Sequence, residues 1–435
     1  MQLFNCKIKA RYGLFLLTAA FMLLLSLGSG VWAEGEGNLS ETSDGVRQRI
    51  VCGRPALKSF LGSLPEDWLK DKAGIRDLWP GQSLEDGSGG RLINLRQPVL
   101  DASLLAFSDH PERVDKRGLL FSGGLLPFKP LRFQFYHEGG RPDGDLWLKL
   151  TLANNGPKPA KIQLIEGLGG PDADYFQAGH ANNLQFLERL AYGCGRILEL
   201  EPGESCQLFC LNLPYEQVLS GTEQFTLLEG SEVVFRLFAL QSEEEQVSYN
   251  LLSKDSDVHA RGVYGGAGRF ISRYLDMSKE DYAYAVIGSA HQPNILQGPE
   301  LKGDYGVIYG VSFLVKNPAW SDQSLELLFS PRGGKATASM MAQAEPLRMK
   351  EPEKWLSRQI PSLQFFLRGS AFWRTVRQSR EVEAFKTERL ATFTVPKESC
   401  LIVRLLTIPE GASNYPVRLI LRRCGSSAEV KLNHI

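Results

Sequence analysis

The sequence predicts a mostly β protein with two tandem β-sandwich-like domains that arose by internal duplication and carry short helical inserts. The first observation is a repeated turn, since Pro202–Cys206 (PGESC) is matched by Pro396–Cys400 (PKESC). The second is a repeated alternation upstream of each turn, in which apolar residues two apart lead into an asparagine at Leu148–Asn154 and again at Val311–Asn317. Alternation with a period of two is typical of a half-buried strand, and features repeated in the same order indicate a duplicated unit.

Short apolar runs separated by Pro, Gly and Asn predict the strands of both domains. In the first domain, residues 91–242, we expect strands at Gly118–Leu125, Leu131–His137, Leu146–Leu152, Ala160–Ile165, Ile197–Leu200, Cys206–Leu213 and Val233–Leu240. In the second domain, residues 259–435, we expect strands at Tyr282–Ile287, Ile308–Lys316, Leu325–Phe329, Leu363–Leu367, Leu390–Thr394, Leu401–Ile408 and Val417–Leu421. Many short strands separated by turns favour β-sandwiches.

Each domain also carries an insert. In the first, a loop is expected at Gly167–Ala173, followed by a helix at His180–Tyr192 with apolar residues at helical spacing. In the second, the insert Lys335–Ile360 contains a candidate helix at Pro352–Arg358. Between the domains, residues 243–258 open with three glutamates and predict an acidic linker.

The N-terminus has the features of an export signal. Basic residues at positions 7, 9 and 11 precede the apolar run Gly13–Leu27, and Val31 and Ala33 are small enough for signal peptidase. We therefore expect residues 1–33 to be a signal peptide and the remainder to be exported to the cell envelope or the exterior. The alternative is an uncleaved anchor, because the run approaches the roughly 20 residues of a membrane span. Membrane contact is then expected only through this N-terminal segment.

Residues 34–90 follow the leader as a flexible lead and a short N-terminal segment. Their first part is polar and Gly-rich, and a short helix is a candidate at Glu66–Ala73. The whole chain has 435 residues, 43% of them hydrophobic, and a formal net charge of +0 from 49 basic and 49 acidic residues. Such a balance offers no basic excess for nucleic acid, so we expect no nucleic-acid partner.

If the protein is exported, its cysteines enter an oxidising compartment, where they are expected to form disulfides. Six of the seven remain after the leader: Cys52, Cys194, Cys206, Cys210, Cys400 and Cys424. If strands Leu401–Ile408 and Val417–Arg423 form a hairpin, Cys400 and Cys424 face each other across it. Cys194 with Cys210 is the next pair across the Pro202-Gly203 turn, which leaves Cys52 with Cys206 by elimination. No cysteine or histidine spacing fits a zinc site, and we expect neither a metal nor a cofactor.

A set of short segments follows a distinctive order along the chain, namely Gly118–Ser122, Arg132–His137, Asn154–Pro157, Gly170–Phe176, Gly303–Tyr309, Phe365–Gly369 and the two Pro-x-Glu-Ser strands. In this order they resemble a family of secreted bacterial proteins of unknown function found in cyanobacteria. The resemblance covers roughly residues 115–425, and the order of the segments carries it, since none of them is diagnostic alone. It implies export, a β-rich architecture and an envelope or extracellular setting, but no activity and no site residue.

Two places are candidate ligand-binding sites. Asp172, Asp174 and His180 gather in a polar stretch that interrupts the strand pattern of the first domain, where a cation or sugar could bind. The competing interpretation is a helix cap at Asp174 or Asn183. Trp320 lies in the turn Asn317–Asp322, where its ring either folds back as a lid or is displayed to solvent.

These patterns predict an exported, non-catalytic binding or scaffolding protein with no catalytic residue. Its expected partners are a polysaccharide or envelope proteins. One alternative is an enzyme acting on cell-wall or extracellular polysaccharide, which a convergent pair of acids in a cleft would favour. Another is a purely structural surface component.

Overall fold

A computed structural model describes the backbone of 40–41 and 47–52 and residues 104–144, 146–192, 194–243, 249–254, 257–347, 363 and 373–425. The predicted leader, the Glu66–Ala73 helix, the Pro352–Arg358 helix and most of the Leu363–Leu367 strand lie outside these residues. Among the described residues, no helix is both long and apolar enough to cross a lipid bilayer.

The first half of the chain forms one sandwich. Its strands are β1 (Ser40–Glu41), β2 (Arg47–Cys52), β3 (Leu104–Ser108), β4 (Arg113–Val114), β5 (Gly118–Gly124), β6 (Leu131–Gly139), β7 (Leu146–Asn154), β8 (Ala160–Asp172), β9 (Cys194–Leu200), β10 (Ser205–Leu213), β11 (Val218–Glu229), β12 (Val233–Leu240) and β13 (Arg261–Tyr264), and its helix is α1 (Tyr175–Tyr192). The four-stranded sheet has the order β10-β7-β12-β5. The facing sheet has the order β1-β2-β9-β8-β11-β6-β3-β13, with β4 also paired to β6.

The second half forms another sandwich. Its strands are β14 (Gly268–Asp276), β15 (Tyr282–Ile287), β16 (His291–Gln292), β17 (Leu301–Lys302), β18 (Ile308–Asn317), β19 (Gln323–Pro331), β20 (Ala336–Leu347), β21 (Arg374–Val382), β22 (Glu388–Val395), β23 (Ser399–Thr407) and β24 (Val417–Arg423). One sheet has the order β14-β18-β23-β20-β21, and the other β15-β24-β19-β22. The fold class is therefore the predicted one, mostly β and built of two sandwiches.

The order of the strands shows the duplication directly. Strands β6, β7, β8, β9, β10 and β11 correspond in chain order to β15, β18, β19, β22, β23 and β24. One sheet of the first sandwich contains the path β9-β8-β11-β6, and one sheet of the second has the path β22-β19-β24-β15. In the opposite sheets β10 pairs with β7 and β23 pairs with β18, antiparallel in both cases. The first sandwich places β12 between β5 and β7, whereas β14 pairs directly and in parallel with β18.

The matched alternations fill the two cores. Leu148, Leu150 and Leu152 are fully buried in the core of the first sandwich. Val311 and its alternating successors Phe313 and Val315 are fully buried in the core of the second. Burial of such side chains contributes roughly 1.5–3 kcal/mol each, so the matched alternations stabilise both cores.

The repeated Pro-x-Glu-Ser-Cys turns predict that Cys206 and Cys400 occupy equivalent positions, and this prediction is wrong because the two turns are offset by one residue in strand pairing. Cys206 lies opposite Leu152, two residues before Asn154, and faces the core of the first sandwich. Cys400 lies opposite Lys316, one residue before Asn317, and packs on the other face of its sheet. A shift of one residue in a strand turns a side chain to the opposite face.

The predicted disulfide between Cys400 and Cys424 is not formed, and neither residue is bonded to another cysteine. The two strands do not form a hairpin, because β23 and β24 belong to opposite sheets of the second sandwich. Cys400 is buried, whereas Cys424 is exposed at the end of β24. The pairing of Cys194 with Cys210 fails for the same reason, since β9 and β10 lie in opposite sheets and Cys210 has no disulfide. The backbone register instead places Cys52 opposite Cys194.

Two boundaries differ from the sequence prediction, and several strands were not predicted. The segment Gly167–Ala173 is not a loop, because β8 continues to Asp172, and the helix begins at Tyr175 rather than at His180. The strands that were not predicted include β3, β11, β14, β20 and β21, and β20 occupies the start of the segment predicted as an insert. In β11 the fully buried polar residues Ser220 and Thr222 break the alternation.

The segment between the two sandwiches packs against the first one. The amide of Leu119 donates to Asn250 O at 2.9 Å, and the amide of Leu252 donates to Leu119 O at 2.8 Å. Strand β13, which follows the predicted domain boundary at 259, still belongs to the first sandwich because it pairs with β3. The two sandwiches, as far as the structure describes them, belong to one compact unit.

Helix α1 holds the two sandwiches together. Its apolar residues Phe186, Leu187 and Leu190 share a buried cluster with Phe270 and Met341 of the second sandwich. The two sandwiches approach each other closely at Gly179 of this helix. A Cβ atom added there would lie 2.3 Å from Gly411 O, so a side chain at this position would clash with the second sandwich.

Candidate functional site

Trp320 is displayed to solvent rather than folded back. It is 83% exposed on the turn between β18 and β19. The turn beneath it is fixed by Asn317, which is 1% exposed. The Asn317 side chain donates from Nδ2 to three carbonyl oxygens and accepts one amide at Oδ1, the partners being Ser321 O at 3.0 Å, Val395 O at 3.1 Å, Pro396 O at 3.1 Å and Ala319 N at 3.0 Å. The ring therefore projects from a rigid support.

The matched turn of the first sandwich has the same support but no aromatic. Asn154 is fully buried, and its Nδ2 donates to Lys158 O at 2.8 Å, Leu200 O at 3.0 Å and Glu201 O at 3.2 Å. Its Oδ1 accepts the amide of Gly156 at 3.0 Å. Counting from the asparagine, the position of Trp320 is taken by Pro157. The exposed tryptophan is thus a feature of the second sandwich alone, added to a scaffold that both sandwiches share.

Charged groups surround the Trp320 turn. The Asp322 carboxylate accepts the amide of Lys397 at 2.9 Å, which joins this turn to the one between β22 and β23. The residues Asp322, Lys397 and Glu398 are exposed. The turn lies at the opposite end of β18 from Gly306, whose carbonyl accepts from Arg132 of the first sandwich at 2.9 Å. A strand of this length spans about 30 Å, so the ring is far from the contact between the sandwiches.

Asp172 and Asp174 organise the start of helix α1. The carboxylate of Asp174 accepts the amides of Phe176 at 3.1 Å and Gln177 at 3.3 Å, which is the geometry of a helix N-cap. The Asp172 carboxylate accepts the amide of Asp174 at 2.8 Å. Both carboxylates therefore accept hydrogen bonds from the backbone of their own loop.

His180 lies in a buried polar network that the sequence did not indicate. It is 4% exposed, and its Nδ1 lies 3.2 Å from Oε1 of Glu410, in the connection between β23 and β24. Glu410 is fully buried and also accepts hydrogen bonds from the hydroxyls of Thr337 and Ser339. Because His180 belongs to the first sandwich and the other three to the second, the network links them.

A second titratable cluster lies where β3 meets the segment before β13. His259 Nδ1 lies 2.5 Å from Asp257 Oδ1, and His259 Nε2 lies 3.4 Å from Glu112 Oε2. Burial raises the pKa of Asp109 well above its usual value, and the nearby charges of Glu112 and Asp257 raise it further. Burial likewise raises the pKa of Glu112. Oδ1 of Asp109 is buried without a hydrogen-bond partner. No motif marked these residues in the sequence.

Among the described residues, no group of three or more His, Cys, Asp or Glu side chains is arranged to hold a metal ion. The other exposed aromatics differ from Trp320, since several are covered by an arginine. The guanidinium of Arg332 lies 5.4 Å from the ring centre of Phe385, and that of Arg113 lies 5.1 Å from that of Tyr215.

Comparison with known proteins names no relative. No family model matches the chain, and no curated protein matches it. Among solved structures it is similar to the CBM22-1-CBM22-2 tandem domain from Paenibacillus barcinonensis Xyn10C, with 8% identity over 67% of this chain and 82% of that chain at a TM-score of 0.17. It is also similar to Broad Bean Stain Virus, with 10% identity over 79% of this chain and 92% of that chain at a TM-score of 0.15. Similarities at these TM-scores carry no argument about fold or function.

Proposed function

We propose that this chain is an exported binding or scaffolding protein that contacts its partner through the Trp320 turn. The observation that carries the proposal is a tryptophan 83% exposed on a turn held by a buried asparagine. An indole ring offers a large apolar face and one N–H donor, a combination suited to sugar rings and to protein partners. A support that is already ordered lowers the entropic cost of binding.

The charged rim fits a polysaccharide or an envelope protein as partner. Asp322, Lys397 and Glu398 are exposed beside the ring and supply both hydrogen-bond donors and acceptors. Contact sites commonly combine an aromatic anchor with a polar rim. Export is part of the same proposal and is supported by the sequence of residues 1–33.

Replacing Trp320 with alanine should abolish most of the binding and leave the fold unchanged. A central aromatic contributes about 2 kcal/mol or more to an interface, which corresponds to a loss of roughly thirtyfold in affinity. The purified protein and its Trp320→Ala variant are compared on an array of cell-wall and extracellular glycans and on immobilised envelope proteins. The melting temperature should change little, because an exposed ring contributes little to the core.

Phe385→Ala is the matched control, since Phe385 is also an exposed aromatic, 59% accessible, but is covered by Arg332. It should bind as the wild type does. Equal losses in both variants, or full binding by Trp320→Ala, would contradict the assignment to the Trp320 turn.

The cluster of titratable groups around Asp109, Glu112 and Asp257 supports a second candidate function, hydrolysis of a polysaccharide. A general acid must keep its proton near neutral pH, and burial raises the pKa of both Asp109 and Glu112. Glycosidases act through two carboxyl groups with separate roles. Release of reducing sugar from a polysaccharide panel by the wild type would favour this candidate.

Replacing Asp109 with asparagine should stabilise the protein at pH 7 by about 1 kcal/mol or more, because the neutral amide has the same shape but no negative charge, and a buried charge costs more than a buried neutral polar group. The sign follows from the direction of the shift. A carboxyl whose pKa is raised in the folded state weakens that state as pH rises above the unfolded pKa, and asparagine removes this loss. The gain should vanish below about pH 4, where both states are protonated.

Denaturant titrations at pH 7 and pH 3.5 measure this effect. An Asp109→Asn variant that is less stable at pH 7 would show that the folded protein uses the carboxylate. Loss of sugar release together with increased stability would assign Asp109 to hydrolysis.

A further inference from the structure

The two sandwiches differ at one sheet edge. In the second sandwich β23 is covered along its length by β20, with Met340 opposite Thr407 and Leu347 opposite Cys400. All residues of β23 except the first are consequently buried. Strand β10 is the counterpart of β23 in the first sandwich, yet among the residues that the structure describes it pairs with β7 alone. Six residues of β10, from Gln207 to Asn212, are only half-buried.

The sequence of β10 lacks the usual protection of a free edge. Soluble proteins place lysine, other charges or proline on edge strands so that they do not pair with another chain. Strand β10 reads SCQLFCLNL and has no charged residue and no proline. The edge strand β21 contains Arg374, Arg377, Arg380 and Glu381, and the edge strand β22 contains Glu388 and Arg389. Strand β5, which is also uncharged, is paired at Leu119 with the backbone of 250–252.

We infer that the free edge of β10 is a dimer interface, where it pairs antiparallel with β10 of a second copy of this chain. The strand that covers the corresponding edge of β23 is β20, whose one charged residue, Glu345, makes an ion pair with Arg404 of β23. Strand β10 has no charge for a partner to neutralise, and because it is itself extended and uncharged, two copies can approach without like charges facing each other. Two identical strands that pair antiparallel are related by a two-fold axis. Such an interface uses the same edge of both copies and leaves no free edge for a third copy, so the assembly is a dimer. It joins the two four-stranded sheets into one continuous sheet.

Charge substitutions on β10 test the interface. With the two-fold axis near the middle of the strand, Gln207 of each copy lies near Asn212 of the other. Lysine at both positions therefore brings like charges together, and a double variant Gln207→Lys, Asn212→Lys should weaken dimerisation at least tenfold in sedimentation equilibrium. The double variant Gln207→Glu, Asn212→Glu should weaken it similarly.

An equimolar mixture of the lysine and glutamate variants is the decisive experiment, because lysine of one copy then faces glutamate of the other. The mixture should recover the dimer, a result that misfolding of either variant cannot produce. The proposal is overturned if the wild type is a monomer at all concentrations, or if dimerisation is unchanged by the substitutions. It is also overturned if a monomeric wild type protects the β10 amides from hydrogen exchange, because a segment of its own chain would then cover the edge.

Discussion

Alanine in place of either Asn154 or Asn317 will lower the free energy of unfolding by about 3 kcal/mol, because it leaves several buried backbone groups without hydrogen-bond partners. Each side chain is buried and makes four hydrogen bonds, three as donor and one as acceptor. Alanine leaves those backbone groups without partners in a site that the native fold closes to water. Each loss should also destabilise one sandwich, because the asparagine joins two turns of the same sandwich.

Urea titration followed by tryptophan fluorescence and circular dichroism measures both losses. The control is Asn155→Ala, which changes an exposed asparagine beside the buried one and should change stability by less than about 0.5 kcal/mol. Similar costs at Asn154 and Asn317 would support their equivalent roles in the two copies. A cost at one site only would contradict that equivalence.

Removal of the Glu410 carboxylate should cost about 3–5 kcal/mol, as expected when one member of a buried polar cluster is deleted. Glu410→Ala leaves the hydroxyls of Thr337 and Ser339 and the ring of His180 facing an apolar methyl group. Since His180 belongs to helix α1, the same substitution loosens the contact between the sandwiches. We therefore expect one calorimetric transition in the wild type and two in the variant.

Differential scanning calorimetry resolves this difference. Glu388→Ala, at an exposed position of the edge strand β22, is the matched control and should keep a single transition. A single transition in Glu410→Ala, at an unchanged temperature, would show that the network does not couple the two sandwiches.

The sequence predicted those features that depend on local pattern. The alternations Leu148–Asn154 and Val311–Asn317 identified matched core strands, because a period of two determines which side chains face inward. Their correspondence followed from the repeated order and needed no knowledge of the facing sheet. The exposed position of Trp320 was one of two alternatives that the turn left open.

Features that depend on contacts between distant segments were not accessible from the sequence. The turn before Cys400 has the same Pro-x-Glu-Ser pattern as the turn before Cys206, but a shift of one residue in pairing turns the two cysteine side chains to opposite faces. The predicted hairpin failed because adjacent strands in a sandwich can belong to different sheets. The pairing of His180 with Glu410 joins residues 230 positions apart, and neither residue lies in a motif.

Hydroxyl-radical footprinting of Trp320 tests most directly whether its turn is the contact. The protein is oxidised alone and with the cell-envelope material that it binds, and modification is measured at Trp320 and at Phe385. The account predicts strong oxidation of Trp320 in the free protein, since its side chain is 83% exposed, and a several-fold decrease in the bound protein with no change at Phe385. Undiminished oxidation of Trp320 in the bound protein would contradict the account and place the contact elsewhere on the molecule.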